Sequence, residues 1–245
     1  MSEYIAGRNP VIEALRSGTL IEKIYVLKGS HGAPIDTIRE LARKKNILCA
    51  EITHDVVSKF GITVPSQGVI AAVGTKEYCE IEDILQHAAA AGQKPFVLIF
   101  DEIEDPHNLG ALIRTAVCAG AHGGILSKHH SAAVTDTVAR TSAGASAHFP
   151  MAKVTNIVTA IEELKEAGVW IVGTDAEADL PFMKLDYKIP IAVVVGNEGK
   201  GIRRLVKEHC DFLAKIPMAG SFDSLNASVA GALVMYEVLR QRTFG

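Results

Sequence analysis

The sequence is short of several things that would define its class at once. Cysteine is sparse: Cys49, Cys79, Cys118 and Cys210 form no close pair and no CxxC, which excludes a disulfide scaffold. No apolar run nears the roughly 20 residues needed to span a bilayer; Pro190 to Gly196 is far too short. The start, Met-Ser-Glu-Tyr, lacks a basic stretch followed by an apolar core, so export is not expected and the reading is a cytoplasmic protein without a membrane partner. Low-complexity tracts are missing, and 48% hydrophobic content excludes disorder. Aromatics are scarce at 6%. Excess charge is missing too, because a formal net charge of −3 gives no hint of a nucleic-acid partner.

What is present is enough for a large core. At 245 residues the chain suits one large domain or two smaller ones. Charge is unevenly spread. Residues 1–76 hold ten Lys or Arg against seven Asp or Glu, whereas residues 77–94 hold one Lys against four acids. The first segment is mildly basic, which suits either a phosphate-attracting surface or an ordinary solvated one. The second contains a helix-sized run, Glu80 to Ala91, that reads as a linker helix or as the first element of the next domain.

Residues 1–76 alternate in type. Leu20–Leu27, Ile47–Ile52 and Val69–Val73 are strand candidates, Pro34–Lys45 has the apolar spacing of a helix, and Pro65-Ser66-Gln67-Gly68 is a turn. Beyond residue 95, Phe96–Phe100 and Ile191–Val195 are continuous apolar runs, the mark of strands buried on both faces of a parallel sheet. Val169–Val172 and Phe212–Ile216 are further strands. Helices are expected from about Leu109 to Cys118, from Thr155, and from Ser224 to Arg240. The fold class is α/β, and in such sheets ligands sit beyond the carboxyl ends of the strands.

Three strand ends carry dense polar and glycine clusters. Asp101 to Ala116 contains Pro106, Asn108-Leu109-Gly110-Ala111 and Arg114. Asn108 suits a helix N-cap, and Arg114, amid apolar neighbours, suits an ion pair with Asp101 or Asp105 as well as a catalytic role. Gly196-Asn197-Glu198-Gly199-Lys200-Gly201 is glycine-rich but is neither a P-loop nor a dinucleotide fingerprint. Glu198 there is a functional carboxylate or a partner for Lys200 or Arg203. Ile216 to Ser228 supplies Met218 and Leu225 for core or pocket, and Asp223 or Ser224 as a cap. The small residues Ala227, Ser228, Ala230, Gly231 and Ala232 would let another helix approach closely.

In this order the three clusters closely resemble the signature motifs of the SpoU (TrmH-type) RNA ribose 2′-O-methyltransferases, within the SPOUT superfamily. Gly7-Arg8-Asn9-Pro10-Val11-Ile12-Glu13-Ala14-Leu15 resembles the start of the substrate-binding domain found in a subset of them. The resemblance implies an L30e-like RNA-binding domain (1–76), a linker (77–94), and a catalytic domain (95–245) with a C-terminal trefoil knot, the active site being completed in a homodimer. It implies S-adenosylmethionine as methyl donor, held by Thr174, Gly196, Asn197, Ile216, Met218, Leu225 and Asn226, and catalysis by Asn108, Arg114, Glu198, Ser224 and Asn226. Chain length and layout most resemble the members that methylate a guanosine of 23S rRNA. The same chemistry on tRNA, and a catalytically silent RNA-binding relative, are the alternatives. Stacking on RNA bases would fall to few rings, Tyr4 and Tyr25 among them. His129-His130 and the other histidines lack zinc-ligand spacing, so no metal is expected.

The reaction implied is in-line displacement, with a ribose 2′-oxygen about 3 Å from the sulfonium methyl. The hydroxyl must lose a proton. A guanidinium, with solution pKa above about 12, is a poor base. Two versions therefore stand: Arg114 accepts the proton, or it holds a phosphate or the forming alkoxide while a water or a carboxylate takes it. Asn108 would orient Arg114 or the ribose, Glu198 would hold the arginine or the target base, and Ser224 and Asn226 would contact donor or nucleotide.

Overall fold

Two separate sheets divide the chain, in a computed structural model that describes all residues except 1–3, 18, 58–65, 75–77 and 221–223, and the side chains of Ser17 and Asp136. Contacts group Met1–Glu77 with Ala133–Ala139 as one compact unit, and Tyr78–Ala132 with Arg140–Gly245 as the other.

The first unit runs β1 (Tyr4–Ala6), α1 (Arg8–Ser17), β2 (Ile21–Leu27), α2 (Ala33–Lys44), β3 (Leu48–Ile52), α3 (His54–Val57) and β4 (Val69–Val73). Its sheet order is β1-β4-β2-β3, with β2 and β3 parallel and β4 antiparallel to its neighbours. The three expected strands and the helix are all present. Val11 and Leu15 of α1, Ile35, Ile38 and Ala42 of α2, and Ile24 and Val26 of β2 close one apolar core. Pro10 sits in the first turn of α1, where a missing N–H costs no hydrogen bond. Gln67 and Gly68 both adopt positive φ at the expected turn, and Pro65 lies outside the described residues.

The second unit contains α4 (Ile81–Ala90), β5 (Phe96–Phe100), α5 (Pro106–Cys118), β6 (Gly123–Ser127), α6 (Asp136–Thr141, its start grouped with the first unit), β7 (Met151–Val154), α7 (Ile157–Glu166), β8 (Trp170–Thr174), β9 (Leu180–Pro181), β10 (Ile191–Val195), α8 (Arg204–Glu208), β11 (Phe212–Lys215) and α9 (Ala227–Phe244). Its seven strands are all parallel, in the order β7-β6-β5-β10-β8-β11-β9. β5 and β10 are buried at every position, as their unbroken apolar runs predict. Ile81 and Ile84 of α4 lie in the same core as Val97, Ile99, Ala192 and Val194. Of the two readings of residues 77–94, the packing of α4 is that of a domain's first element.

β6 and β7 were not expected. β6 opens with Gly123-Gly124, which has little strand propensity. A Cβ at Gly123 would lie 2.6 Å from Ile84, and one at Gly124 would lie 2.7 Å from Phe100, so both glycines serve close approach across the sheet. After β5 the chain moves outward to β6 and β7; β10 and β8 lie on the other side. The order reverses between β5 and β10, and a crevice opens at such a switch point beyond the strand ends.

Helix α9 packs on α5 and β10. Gly231 makes this possible, since a Cβ there would lie 2.5 Å from Leu112 of α5. At the far end of α9, Arg242 donates to the carbonyls of Lys94, Pro95, Tyr187 and Ile189 at 2.7–3.0 Å. Four acceptors for one guanidinium fasten the C-terminal helix to the segment that leads into β5.

His122, between α5 and β6, accepts from the Phe96 N–H through Nδ1 (3.0 Å) and reaches Gln93 Oε1 through Nε2 (2.9 Å). Burial, then the charges of Arg242 and His87, hold its pKa below the ordinary value. A neutral ring favoured by the fold means that the unfolded chain binds the proton first. Stability is therefore complete above the unfolded value of about 6.5 and is lost as pH falls through that value toward the lower folded one. Melting temperatures measured from pH 8 to 5 should fall in this window, and less so in His122→Asn, whose amide oxygen replaces Nδ1 as acceptor.

Candidate active site

The first motif places its residues through an N-cap different from the expected one. Asp105 caps α5, its carboxylate accepting from the N–H of His107 (3.0 Å) and of Asn108 (3.4 Å), with Pro106 as first helical residue. Asn108 thus stands within the first turn and its side chain is free to face the crevice. Gly110 follows because a Cβ there would overlap the side chain of Thr141. In this motif the glycine is a packing requirement.

The second motif is shaped by a buried charge pair. Asp101, directly after β5, is fully buried and accepts from Arg203 Nε (2.7 Å), Arg203 Nη2 (2.6 Å) and the Arg203 N–H (2.8 Å). Both guanidinium nitrogens meet Oδ1 and the backbone N–H meets Oδ2, and this charged pair closes the loop that leaves β10. Within the loop, Asn197 donates through Nδ2 to the Glu102 carbonyl (3.2 Å), while its Oδ1 accepts from the N–H of Gly199 (2.9 Å) and of Lys200 (3.3 Å). Asn197 and Gly201 also form a backbone bridge, and a Cβ at Gly196 would overlap the Gly201 backbone. An ion pair of Arg114 with Asp101 or Asp105 was one of the two readings of that arginine; Asp101 instead pairs with Arg203, which the return of the loop to β5 brings to it.

Glu198 projects from this loop to the other two motifs. Asn108 Nδ2 donates to Glu198 Oε2 (3.1 Å), Asn226 Nδ2 donates to the same oxygen (3.1 Å), and Asn226 Nδ2 also reaches Asn108 Oδ1 (2.9 Å). Residues separated by 90, 118 and 28 positions in the chain meet in one polar triangle. Asn226 is also the N-cap of α9, accepting from the Ser228 N–H (2.9 Å) and hydroxyl (2.6 Å) through Oδ1. The cap is Asn226 instead of Ser224, and Asp223 lies outside the described residues. Glu198 therefore pairs with two amides instead of Lys200 or Arg203.

Arg114 does not join the triangle. Six residues along α5 carry it about 9 Å down the axis and about 120° around it from Asn108. It is exposed and, among the described residues, has no ion pair or hydrogen bond. Ser224 is exposed and likewise makes no hydrogen bond among them. Thr174 closes β8, its hydroxyl donating to the Val194 carbonyl (3.3 Å). Ala214 pairs with Thr174 across β8 and β11, so Gly196, Thr174 and Ile216 stand at the carboxyl ends of three adjacent strands. Beyond them Met218 is 40% exposed and Leu225 half-buried, apolar side chains left outside the core. Asp101, Arg203 and Ser228 were not expected as parts of the site. Asp101 at a strand end facing a glycine loop was the available signal.

An α/β enzyme with its polar centre at a topological switch point is the class that this geometry defines. Comparisons with known proteins supply the family. Residues 95–236 match the SpoU rRNA Methylase family, and residues 4–79 match the RNA 2′-O ribose methyltransferase substrate-binding family. The chain is 45% identical over 240 residues to YacO of Bacillus subtilis, covering 98% of this chain and 96% of that one; its name places YacO in the TrmH family of tRNA/rRNA methyltransferases. The AdoMet-bound rRNA methyltransferase of Sinorhizobium meliloti has 27% identity and a TM-score of 0.63, over 100% of this chain and 88% of that one. The TrmH/SpoU tRNA-modifying enzyme of A. aeolicus has 29% identity and a TM-score of 0.56, over 66% of this chain and 83% of that one. The chain belongs to the SpoU (TrmH) family of S-adenosylmethionine-dependent RNA methyltransferases.

The residues present fit that donor. Gly196 lets the loop fold back on the Gly201 backbone, Asn197 ties the loop to the segment after β5, and Met218 and Leu225 offer an apolar rim. Among the described residues no group of three or more His, Cys, Asp or Glu could hold a metal ion, and no helix is long and apolar enough to cross a membrane.

Proposed function

We propose that this protein methylates the ribose 2′-hydroxyl of a guanosine in 23S rRNA, as a homodimer whose knotted C-terminal segment forms the donor site. The Asn108–Glu198–Asn226 triangle at the β5–β10 switch point carries the reading. Bound S-adenosylmethionine supplies an electrophilic methyl group. Gly196, Asn197, Ile216, Met218, Leu225 and Thr174 would bind and orient it. The triangle positions the acceptor nucleotide: Glu198 keeps both asparagine amides oriented, and its second oxygen is left to accept from the nucleotide. Arg114 has no ion pair among the described residues and is fit to hold a phosphate or the forming alkoxide.

The surface of α9 and α5 supports the dimer. Val229, Leu233 and Tyr236, at i, i+4 and i+7 on α9, are 42–52% exposed, and Val117 on α5 is 42% exposed. The opposite face of α9 buries Val234, Met235 and Val238, so the helix is apolar on two faces as far as Tyr236. A second copy covering this face would also cover Arg114, one turn from Val117, and bring it to the partner's site. Tyr236→Glu should convert a dimer into monomers in analytical ultracentrifugation and remove methyl transfer together with it.

The rRNA target is supported by coverage. The S. meliloti rRNA enzyme matches the whole chain, whereas the A. aeolicus tRNA-modifying enzyme matches 66% of it. Mapping 2′-O-methyl sites in total RNA, with and without the gene, should show one 23S rRNA guanosine losing its methyl group. Loss at a tRNA position instead would transfer the activity to that substrate.

A further inference from the structure

The first unit contains a cavity of about 630 Å³ that the methyl-transfer chemistry does not use. Arg8, Gly29, Ser30, His31, Gln67 and Gly68 line it. These residues come from the start of α1, the loop between β2 and α2, and the turn before β4. Arg8 is fixed there: its N–H donates to Gln67 Oε1 (3.2 Å) and its Nε to the Gln67 carbonyl (3.0 Å). Among the described residues nothing pairs with its two terminal nitrogens, and Nη1 would lie 3.8 Å from a Cβ placed on Gly32. A guanidinium held through Nε presents its outer edge as a preformed fork for an oxyanion, at a smaller entropic cost than a mobile lysine.

The opposite wall is backbone. Gly29 has φ +86° with no atom within 4 Å of where its Cβ would be, so a ligand can lie directly on the loop. His31 is turned inward by its contact from Nδ1 to the Gly29 carbonyl (2.6 Å), which leaves Nε2 for a ligand. The cavity thus offers one fixed cation, a hydroxyl, an imidazole and bare peptide groups. Leu27 adds an apolar side on which a sugar or base face can lie, and no carboxylate is among the lining residues. That inventory suits a phosphate with an attached sugar and polar base edge. It does not suit the duplex backbone, which would meet a convex basic stripe.

We infer that this cavity binds one unpaired nucleotide of the RNA substrate, its phosphate on Arg8 and its sugar and base over Gly29, Ser30 and His31. The inference rests on the proposed RNA function and names where the first unit holds its substrate. The nucleotide would be flanking or distal to the methylated one, since the site has no donor-binding loop.

Fluorescence anisotropy with the full chain tests it, using a labelled 12-nucleotide RNA of mixed sequence, the same strand in a duplex, and free GMP. Arg8→Ala should weaken the unpaired strand about tenfold, the equivalent of about 1.4 kcal/mol, and flatten its salt dependence by about 0.7 in the log–log slope. Duplex binding should be unchanged, and GMP should bind far more weakly than the strand. Ser30→Glu, which alters no side-chain hydrogen bond of the fold described here, should reproduce the loss at an unchanged melting temperature. Equal strand affinities for wild type and both variants, equal losses for strand and duplex, or GMP binding as tight as the strand would each overturn the inference. Methyl transfer by the wild type is scored separately. Its absence would refute the proposed function while leaving strand binding to Arg8 measurable.

Discussion

Arg114→Ala should lower methyl transfer to RNA by about 10²–10⁴-fold, the range for removal of a group that handles the proton or the developing charge. The affinity for S-adenosylmethionine, measured by calorimetry, should stay close to that of the wild type. The expectation follows from position. Arg114 is exposed on α5, has no partner within the described part of its own chain, and stands away from the strand-end loops that would take the donor. An arginine in a structural ion pair would instead cost stability when removed, and the melting temperature of Arg114→Ala should be unchanged. Arg114→Lys distinguishes the two proton schemes. Lysine has a reference pKa of about 10.4 against above 12 for arginine. A pH–rate profile displaced toward lower pH in the lysine variant would identify the side chain as proton acceptor. Parallel profiles with a uniform loss would make it a holder of charge.

Asn226→Asp should be nearly as damaging, for a different reason. Asn226 has two separable roles: Oδ1 caps α9 by accepting from Ser228, and Nδ2 donates to Asn108 and Glu198. Aspartate is as good an N-cap as asparagine, so the helix should remain stable. It cannot donate. Its second oxygen would face Glu198 Oε2, where the amide now lies 3.1 Å away. Two carboxylates at that distance cannot both ionise without raising the pKa of one of them. Activity near pH 7 should fall about 10²-fold, as for loss of one preorganised polar contact, and partly recover as pH is lowered and one carboxyl takes a proton. Asn226→Ala should lose both cap and activity. Full activity in Asn226→Asp, with the amide donor lost and the cap kept, would mean that the cap, not the triangle, is what the residue serves.

Much of the fold was legible because two apolar runs admit one interpretation. Phe96–Phe100 and Ile191–Val195 alternate with nothing, so they must be buried on both faces, and they are neighbouring central strands. β6 was hidden because its glycines are chosen for what their missing side chains avoid, contacts with Ile84, Phe100 and Met151 that only the folded chain creates. In the site, Asn108, Glu198 and Asn226 were visible as residue types at strand ends, and the structure brings them together. Their partners were not visible. Asn108 read as a cap because capping is local, but Asp105 three residues earlier takes that position and frees it. Arg203 was not visible as the partner of Asp101, since that pair depends on the return of a loop across 102 residues. Net charge was the poorest guide. The −3 total averages away the basic first segment and Arg8 and Arg114, which have no ion pair among the described residues and where phosphate chemistry would be met.

The central claim is that this chain transfers a methyl group from S-adenosylmethionine to a ribose oxygen of RNA. Purified protein, incubated with methyl-labelled donor and total RNA from a strain lacking the gene, tests it directly once the RNA is digested to nucleosides. The account predicts label in a 2′-O-methylnucleoside, 2′-O-methylguanosine from 23S rRNA above all. Label in a base-methylated nucleoside, or none in any nucleoside, would contradict it.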